Sequence, residues 1–281
     1  MLREKPHTVD LLILGAGWTS TFLIPLLDAQ KIPHAETTTT GRDGTIPFKF
    51  EPDAGSEEPY RRLPSAKTVL VTFPLVGHGQ SKIISSLYRK VHGPENHWVQ
   101  LGSSGIFNQE CGWNTEDSVY DASEARAVAE DELRGLGGEV LCLAGLYGGV
   151  RRPKEWIPRL AKSKADVAKR TNVHFVHGED VARAVVAVHA RPTAGKRWII
   201  ADMRTYDWYD LILSFSALAE GEDEDDAEVK KRLQFGRWVG ELMEEEGVRA
   251  LPREAESFTR RLDSRAFWKA HGLWPKHQRL A

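Results

Sequence analysis

Two glycines fall where a short apolar run gives way to a helical pattern, in Leu11-Leu12-Ile13-Leu14-Gly15-Ala16-Gly17-Trp18-Thr19-Ser20. Gly15 allows a tight turn, and Gly17 lets the backbone approach a pyrophosphate. The first turn of the helix then offers unpaired N–H groups and the positive end of its dipole. The chemistry this suits is dinucleotide binding, and its place at the first strand-to-helix junction gives the motif more weight than a bare G-x-G has. Trp18 and Thr19 complete the turn as expected cofactor contacts. Ser20 stands where a third glycine is usual; it crowds helix packing and is expected to bring a hydroxyl near the phosphates.

A second strand is expected to end at Thr37 to Thr40, ahead of Gly41-Arg42-Asp43, close to where an adenosine ribose would lie. An acid there binds the ribose 2′-hydroxyl, whereas an arginine pairs with a 2′-phosphate through its planar fork. Arg42 favours NADP. Asp43, and Glu36 at the start of the strand, keep NAD open. Further on, Phe73 and Pro74 should flank the cofactor, and His78 in the loop that follows is a candidate substrate contact or acid–base group.

These residues need a scaffold to position them. Val9 to Leu14, Thr68 to Phe73, His97 to Gly102, Glu139 to Ala144 and Arg197 to Ala201 are nearly continuous apolar runs, as parallel strands covered on both faces must be. Thr19 to Ala29, Gln80 to Val91 and Ser123 to Leu136 are helical patterns of crossover length. The expected fold is α/β, a Rossmann-type doubly wound parallel sheet over residues 1–149. Residues 150–281 add the remaining strands and a small C-terminal lobe within one structural unit. The acidic run from Glu220 to Asp226 lacks apolar periodicity and is expected to be a solvated loop before a helix from Ala227 to Glu246.

Composition narrows the function classes. A hydrophobic share of 41% with 28% charged residues is that of a globular protein and too polar for a membrane protein. A net charge of −2 offers no field to attract nucleic acid. Two cysteines, Cys111 and Cys142, cannot make a disulfide framework, so a reducing compartment, the cytoplasm, is expected. No membrane span is evident, and no cluster demands a metal; the acidic run is expected to stay hydrated.

Further motifs carry a resemblance. The glycine turn is joined by Gly102-Ser103-Ser104-Gly105-Ile106-Phe107, Leu143-Ala144-Gly145-Leu146-Tyr147-Gly148, Phe175 through Ala182, and a tail from Arg261 through Pro275. Together they resemble the extended and atypical short-chain dehydrogenase/reductase superfamily, including NAD-dependent epimerases and dehydratases, over nearly the whole chain. In that family a Ser or Thr acts with a Tyr and, four residues later, a Lys that lowers the phenol pKa and holds the ribose. The resemblance puts Ser103 at the serine position, with Ser104 beside it. Placing Glu130 on the acid that often follows the lysine puts Arg126 at the lysine position and Ala122 at the tyrosine position. The Tyr-x-x-x-Lys motif is therefore missing. Tyr120 lies two residues away, a rotation of about 200° on a helix. Arg126 can hold ribose or phosphate but does not deprotonate. Tyr147, after the sixth strand where the family's backbone meets the nicotinamide, is an alternative acid, while Asp180 is expected to serve as a helix cap or first-turn acid. By analogy with the family a homodimer is also expected.

Three functions follow as expectations: an NADP-linked oxidoreductase or epimerase acting on a small carbonyl or sugar-like molecule; a dinucleotide-binding sensor or scaffold without turnover; and a non-redox isomerase, lyase or cyclase on the same fold.

Overall fold

The computed structural model describes residues 8–107 and 112–280. Cys111 lies outside the described residues. From the N-terminus, β1 (Thr8–Leu14) leads through α1 (Ser20–Ala29) to β2 (His34–Thr38), β3 (Ile46–Pro47), α2 (Glu58–Arg61), β4 (Ser65–Val71), α3 (Gln80–His92) and β5 (His97–Ser103). Then come β6 (Trp113–Asn114), α4 (Ala125–Gly135), β7 (Glu139–Leu143), β8 (Gly145–Tyr147), α5 (Ile157–Leu160), α6 (Lys164–Ala168), β9 (Asn172–Val173) and β10 (Phe175–His177). The chain continues through α7 (Gly178–Ala190), β11 (Arg197–Ile200), β12 (Tyr206–Asp207), α8 (Trp208–Ser216), α9 (Ala227–Glu246), β13 (Arg261–Leu262) and α10 (Arg265–His271).

Seven strands form one parallel sheet in the order β11-β7-β5-β4-β1-β2-β3. Leu11, Leu12, Ile13 and Leu14 of β1 and Val69, Leu70 and Val71 of β4 are fully buried, because helices cover both faces. α1 packs against α7, and α3 against α4. The chain leaves β1 toward β2 and β3, then returns to β4 on the other side. The strand order thus reverses between β1 and β4, opening the crevice in which ligands of this architecture lie. This is the doubly wound α/β fold expected from the apolar runs, with strand ends shifted by a few residues.

A second core lies outside the sheet, with Tyr147, Ile157, Val167, Phe175, Trp208, Tyr209, Phe235 and Val239 at its centre. Here α9 packs on α8 and α6. It runs from Ala227 to Glu246 as expected, opened by Asp226 accepting from the N–H groups of Glu228 and Val229. The acidic run before it is not simply solvated, since Glu222 pairs with Arg232. Cys142 is buried in β7, and burial pushes its thiol well above the usual range. Among the described residues, no helix is long and apolar enough to cross a membrane.

Candidate functional site

β1 ends at Leu14 and the chain turns at Gly15 with φ +95°. Two neighbouring strand ends fix this turn. The Gly15 N–H donates to Thr37 Oγ1 at 3.0 Å, the Ala16 N–H donates to the Thr37 carbonyl at 2.6 Å, and the Thr72 hydroxyl donates to the Gly15 carbonyl. Beside Gly17 there is open space: the nearest atom to a Cβ built there is the Gly15 carbonyl oxygen at 4.0 Å. The N–H groups of Trp18 and Thr19, just ahead of α1, have no hydrogen-bond partner among the described residues.

These groups open onto a cleft of about 730 Å³ at the carboxyl edge of the sheet. The glycine turn and Thr38, Thr39, Thr40 and Arg42 form one end; Thr72, Phe73 and Pro74 follow β4; and Gly102, Ser103, Ala144 and Leu146 form the far end. Three arginines, Arg42, Arg126 and Arg151, line it, with no Asp or Glu among the lining residues. The Nε of Arg126 is buried without a partner among the described residues. Unpaired donors, positive charge and the gap beside Gly17 suit an extended polyanion such as a dinucleotide.

The expected cofactor contacts Gly15, Gly17, Trp18, Thr19, Arg42, Phe73 and Pro74 all meet in this cleft, but Ser20 does not. Ser20 is 3% exposed, its hydroxyl has no partner among the described residues, and it packs where the third glycine would sit instead of reaching the phosphates. Of the two acids that kept NAD open, Asp43 is outside the cleft wall, and Glu36 lies within β2 opposite Ile13.

The expected catalytic residues are scattered. Ser103 and Arg126 line the cleft. Ser103 Oγ accepts from the Gly105 N–H at 3.1 Å, which leaves its own proton free to donate. Ser104 is buried beneath and absent from the wall. Tyr120 is turned away: its hydroxyl donates to Asp131 at 2.9 Å, and the Arg197 guanidinium lies over its ring at 4.3 Å. His78 is exposed on the loop after β4 and does not reach the cleft, because that loop is drawn toward α4 through Gly77 N–H to the Ala125 carbonyl at 2.7 Å and Gly79 N–H to Glu132 at 2.9 Å.

Tyr147 faces elsewhere as well. Its hydroxyl donates to the Arg279 carbonyl at 3.4 Å, and burial raises its pKa, the opposite of what a phenolic acid–base group needs. It lines a second cavity of about 580 Å³ that shares Arg151 with the cleft. Arg151 lies over the Trp18 ring at 4.4 Å, and Trp18 Nε1 donates to the Gly148 carbonyl at 3.2 Å.

Several supporting roles escaped the sequence reading, which used Glu130 only to place the family motif. Glu130, fully buried, accepts from the Ser103 N–H at 3.1 Å and pairs with Arg197 at 3.1 Å; burial raises its pKa while Arg197 opposes the shift. It therefore holds the end of β5 in place from behind. Thr72 and Arg151 could have been suspected only from their place just beyond strand ends. Asp180 is a first-turn acid of α7, as expected, and also accepts from the N–H groups of Lys276 and His277 at 2.8 and 2.9 Å, tying down the tail.

No protein-family model matches the sequence, and neither does any curated protein. Solved structures do. A putative NAD-dependent epimerase/dehydratase from Methylobacillus flagellatus superposes with TM-score 0.58 at 14% identity, covering 96% of this chain and 94% of that one. The chain has the epimerase/dehydratase fold. Two further proteins share that fold. A dTDP-glucose 4,6-dehydratase from Bacillus anthracis in complex with NAD gives TM-score 0.62 at 12% identity, covering 97% and 94% of the two chains. RMD from Pseudomonas aeruginosa complexed with NADPH gives 0.58 at 14% identity, covering 95% and 93%. The epimerase/dehydratase fold agrees with the resemblance read from the motifs, and both kinds of nicotinamide dinucleotide occur among its neighbours.

Proposed function

We propose that the protein binds NADP(H) in the cleft and acts as an oxidoreductase or epimerase on a small carbonyl or sugar-like substrate. The observation that carries this reading is the pairing of two partnerless N–H groups at the glycine turn with a wall holding three arginines and no carboxylate. Arg42 follows β2 and lines the cleft with its side chain 65% exposed; its Nε lies 3.8 Å from Asp43, a long and solvent-exposed pair that a 2′-phosphate would replace. Neighbours holding NAD or NADPH support a nicotinamide dinucleotide in general.

When bound, that group supplies or takes up hydride. Ser103 would donate its free proton as a hydrogen bond to the substrate carbonyl, and Arg126 would hold ribose or phosphate. Arg126 remains protonated throughout and moves no proton.

A second reading, a dinucleotide-binding sensor without turnover, is favoured by one observation: no Tyr, Lys or His lines the cleft among the described residues. Fluorescence titration with NADPH and NADH, on wild type and Arg42→Ala, tests the binding common to both. NADPH should bind about ten- to a hundredfold tighter than NADH, with the preference lost in the variant, as expected for one charge-assisted contact. Failure to bind either dinucleotide overturns both readings. Binding without oxidation of NADPH across a panel of aldehydes, ketones and keto-sugars leaves the sensor.

A further inference from the structure

The second cavity has a charge pattern that the dinucleotide does not explain. Arg151, Arg152, Lys154 and Arg279 line it beside His177 and His277, with no Asp or Glu among the lining residues. This concentration of positive charge sits on a chain whose net charge is −2. Some solvent-facing cations pair with acids, as Arg61 does with Glu57 at 3.2 Å and Lys164 with Glu241 at 2.8 Å. Others, such as Lys31 and Arg249, have no ion pair among the described residues; what sets the cavity apart is that its unpaired cations are gathered on one concave wall. Here Arg151, Lys154 and Arg279 have no carboxylate within 4.0 Å among the described residues, and Arg152 has only Glu155 at 3.9 Å.

Like charges gathered on a concave wall focus a positive potential, and guanidinium forks match the oxygens of a carboxylate or phosphate. Tyr147, Phe215 and Leu280 add an apolar wall, and a volume of about 580 Å³ suits a small molecule. Nearby, His177, Glu179 and His277 place ligand-type atoms within 4.8 Å of one another. Charge argues against a cation there. Glu179 is already engaged by Lys276 at 2.8 Å and His277 at 2.5 Å, and the two imidazoles lie against each other with ring centres 3.7 Å apart.

We propose that the second cavity is the substrate subsite and that it holds an oxyanion group, carboxylate or phosphate, of a small carbonyl compound, with Arg151 at the junction with the dinucleotide cleft. The word substrate rests on the redox reading above; the anion site does not.

Isothermal titration of the full chain with inorganic phosphate and, separately, succinate tests it, using wild type, Arg279→Gln and Arg42→Ala. Arg279 is exposed and lines only the second cavity, so its substitution leaves fold and cleft intact. At least one anion should bind in the millimolar range or tighter, weaken tenfold or more in Arg279→Gln, and bind Arg42→Ala as it binds wild type. Binding of phosphate alone identifies a phosphate group, succinate alone a carboxylate, and both an unselective oxyanion site. The proposal is overturned if neither anion binds, if Arg279→Gln binds as wild type does, or if Arg42→Ala loses as much, which would place the anion in the dinucleotide cleft. NADPH titration of the same wild-type sample separates the two ideas, because loss of NADPH binding sinks the redox reading and leaves the anion result standing.

Discussion

At Gly15 a Cβ would lie 2.8 Å from Thr72 Oγ1 and 3.0 Å from the Phe73 ring, on a backbone with φ +95°. At Gly17 it would meet open space. The two glycines of one motif therefore answer to different constraints, and alanine at each should separate them. Gly15→Ala should lower stability by about 1–3 kcal/mol through backbone strain and overlap, read as a shifted urea midpoint. Gly17→Ala should change stability by less than about 0.5 kcal/mol yet weaken NADPH binding tenfold or more, since its methyl group fills the space left for phosphate. If Gly17→Ala binds NADPH as wild type does, the gap is not a phosphate seat. The glycine turn was legible because its residue types and its position speak together. Tyr120 was not, because its fate depends on Asp131 and Arg197, and no spacing rule announces a phenol turned toward a carboxylate elsewhere on the surface.

Elements were legible in proportion to their length. The long strands of the main sheet declare themselves as buried apolar runs, and α9 as a capped periodic segment. β8 and β10 are three residues each and exist because Gly145 pairs with Phe175 across a long stretch of chain; a run so short has no periodicity to read. The same holds for the second cavity, assembled from β8, the loop after it, α8 and the tail. Asp180 links α7 to that assembly by accepting from two tail N–H groups and pairing with Arg183 at 2.7 Å. Asp180→Ala should lower stability by about 3 kcal/mol, since it strands these donors. It should also make the segment after Trp274 cleavable by protease while the sheet resists. A tail that stays protected would show that other contacts hold it.

For the molecule as a whole, His174 couples acidity to folding. It is 3% exposed, accepts from the Leu262 N–H at 3.0 Å, and burial lowers its pKa from 6.5 to about 4. Between those values the unfolded chain binds more protons than the folded one. Stability therefore falls as pH drops through 6.5 and levels off below about 4, a loss of about 3 kcal/mol. Asp202, which burial pushes up to about 6, contributes with the opposite sign. The measurement is thus the difference between wild type and His174→Gln in urea unfolding at several pH values. The variant should lack the acid-side loss, and parallel curves would refute the assignment. The stack of Arg151 on Trp18 has an optical consequence. An indole whose π face carries a guanidinium and whose edge lies against the cleft should change its emission when either chamber fills. Trp18→Phe would then remove the part of the chain's intrinsic fluorescence that reports occupancy, making this side chain a built-in gauge for both ligands without an added dye.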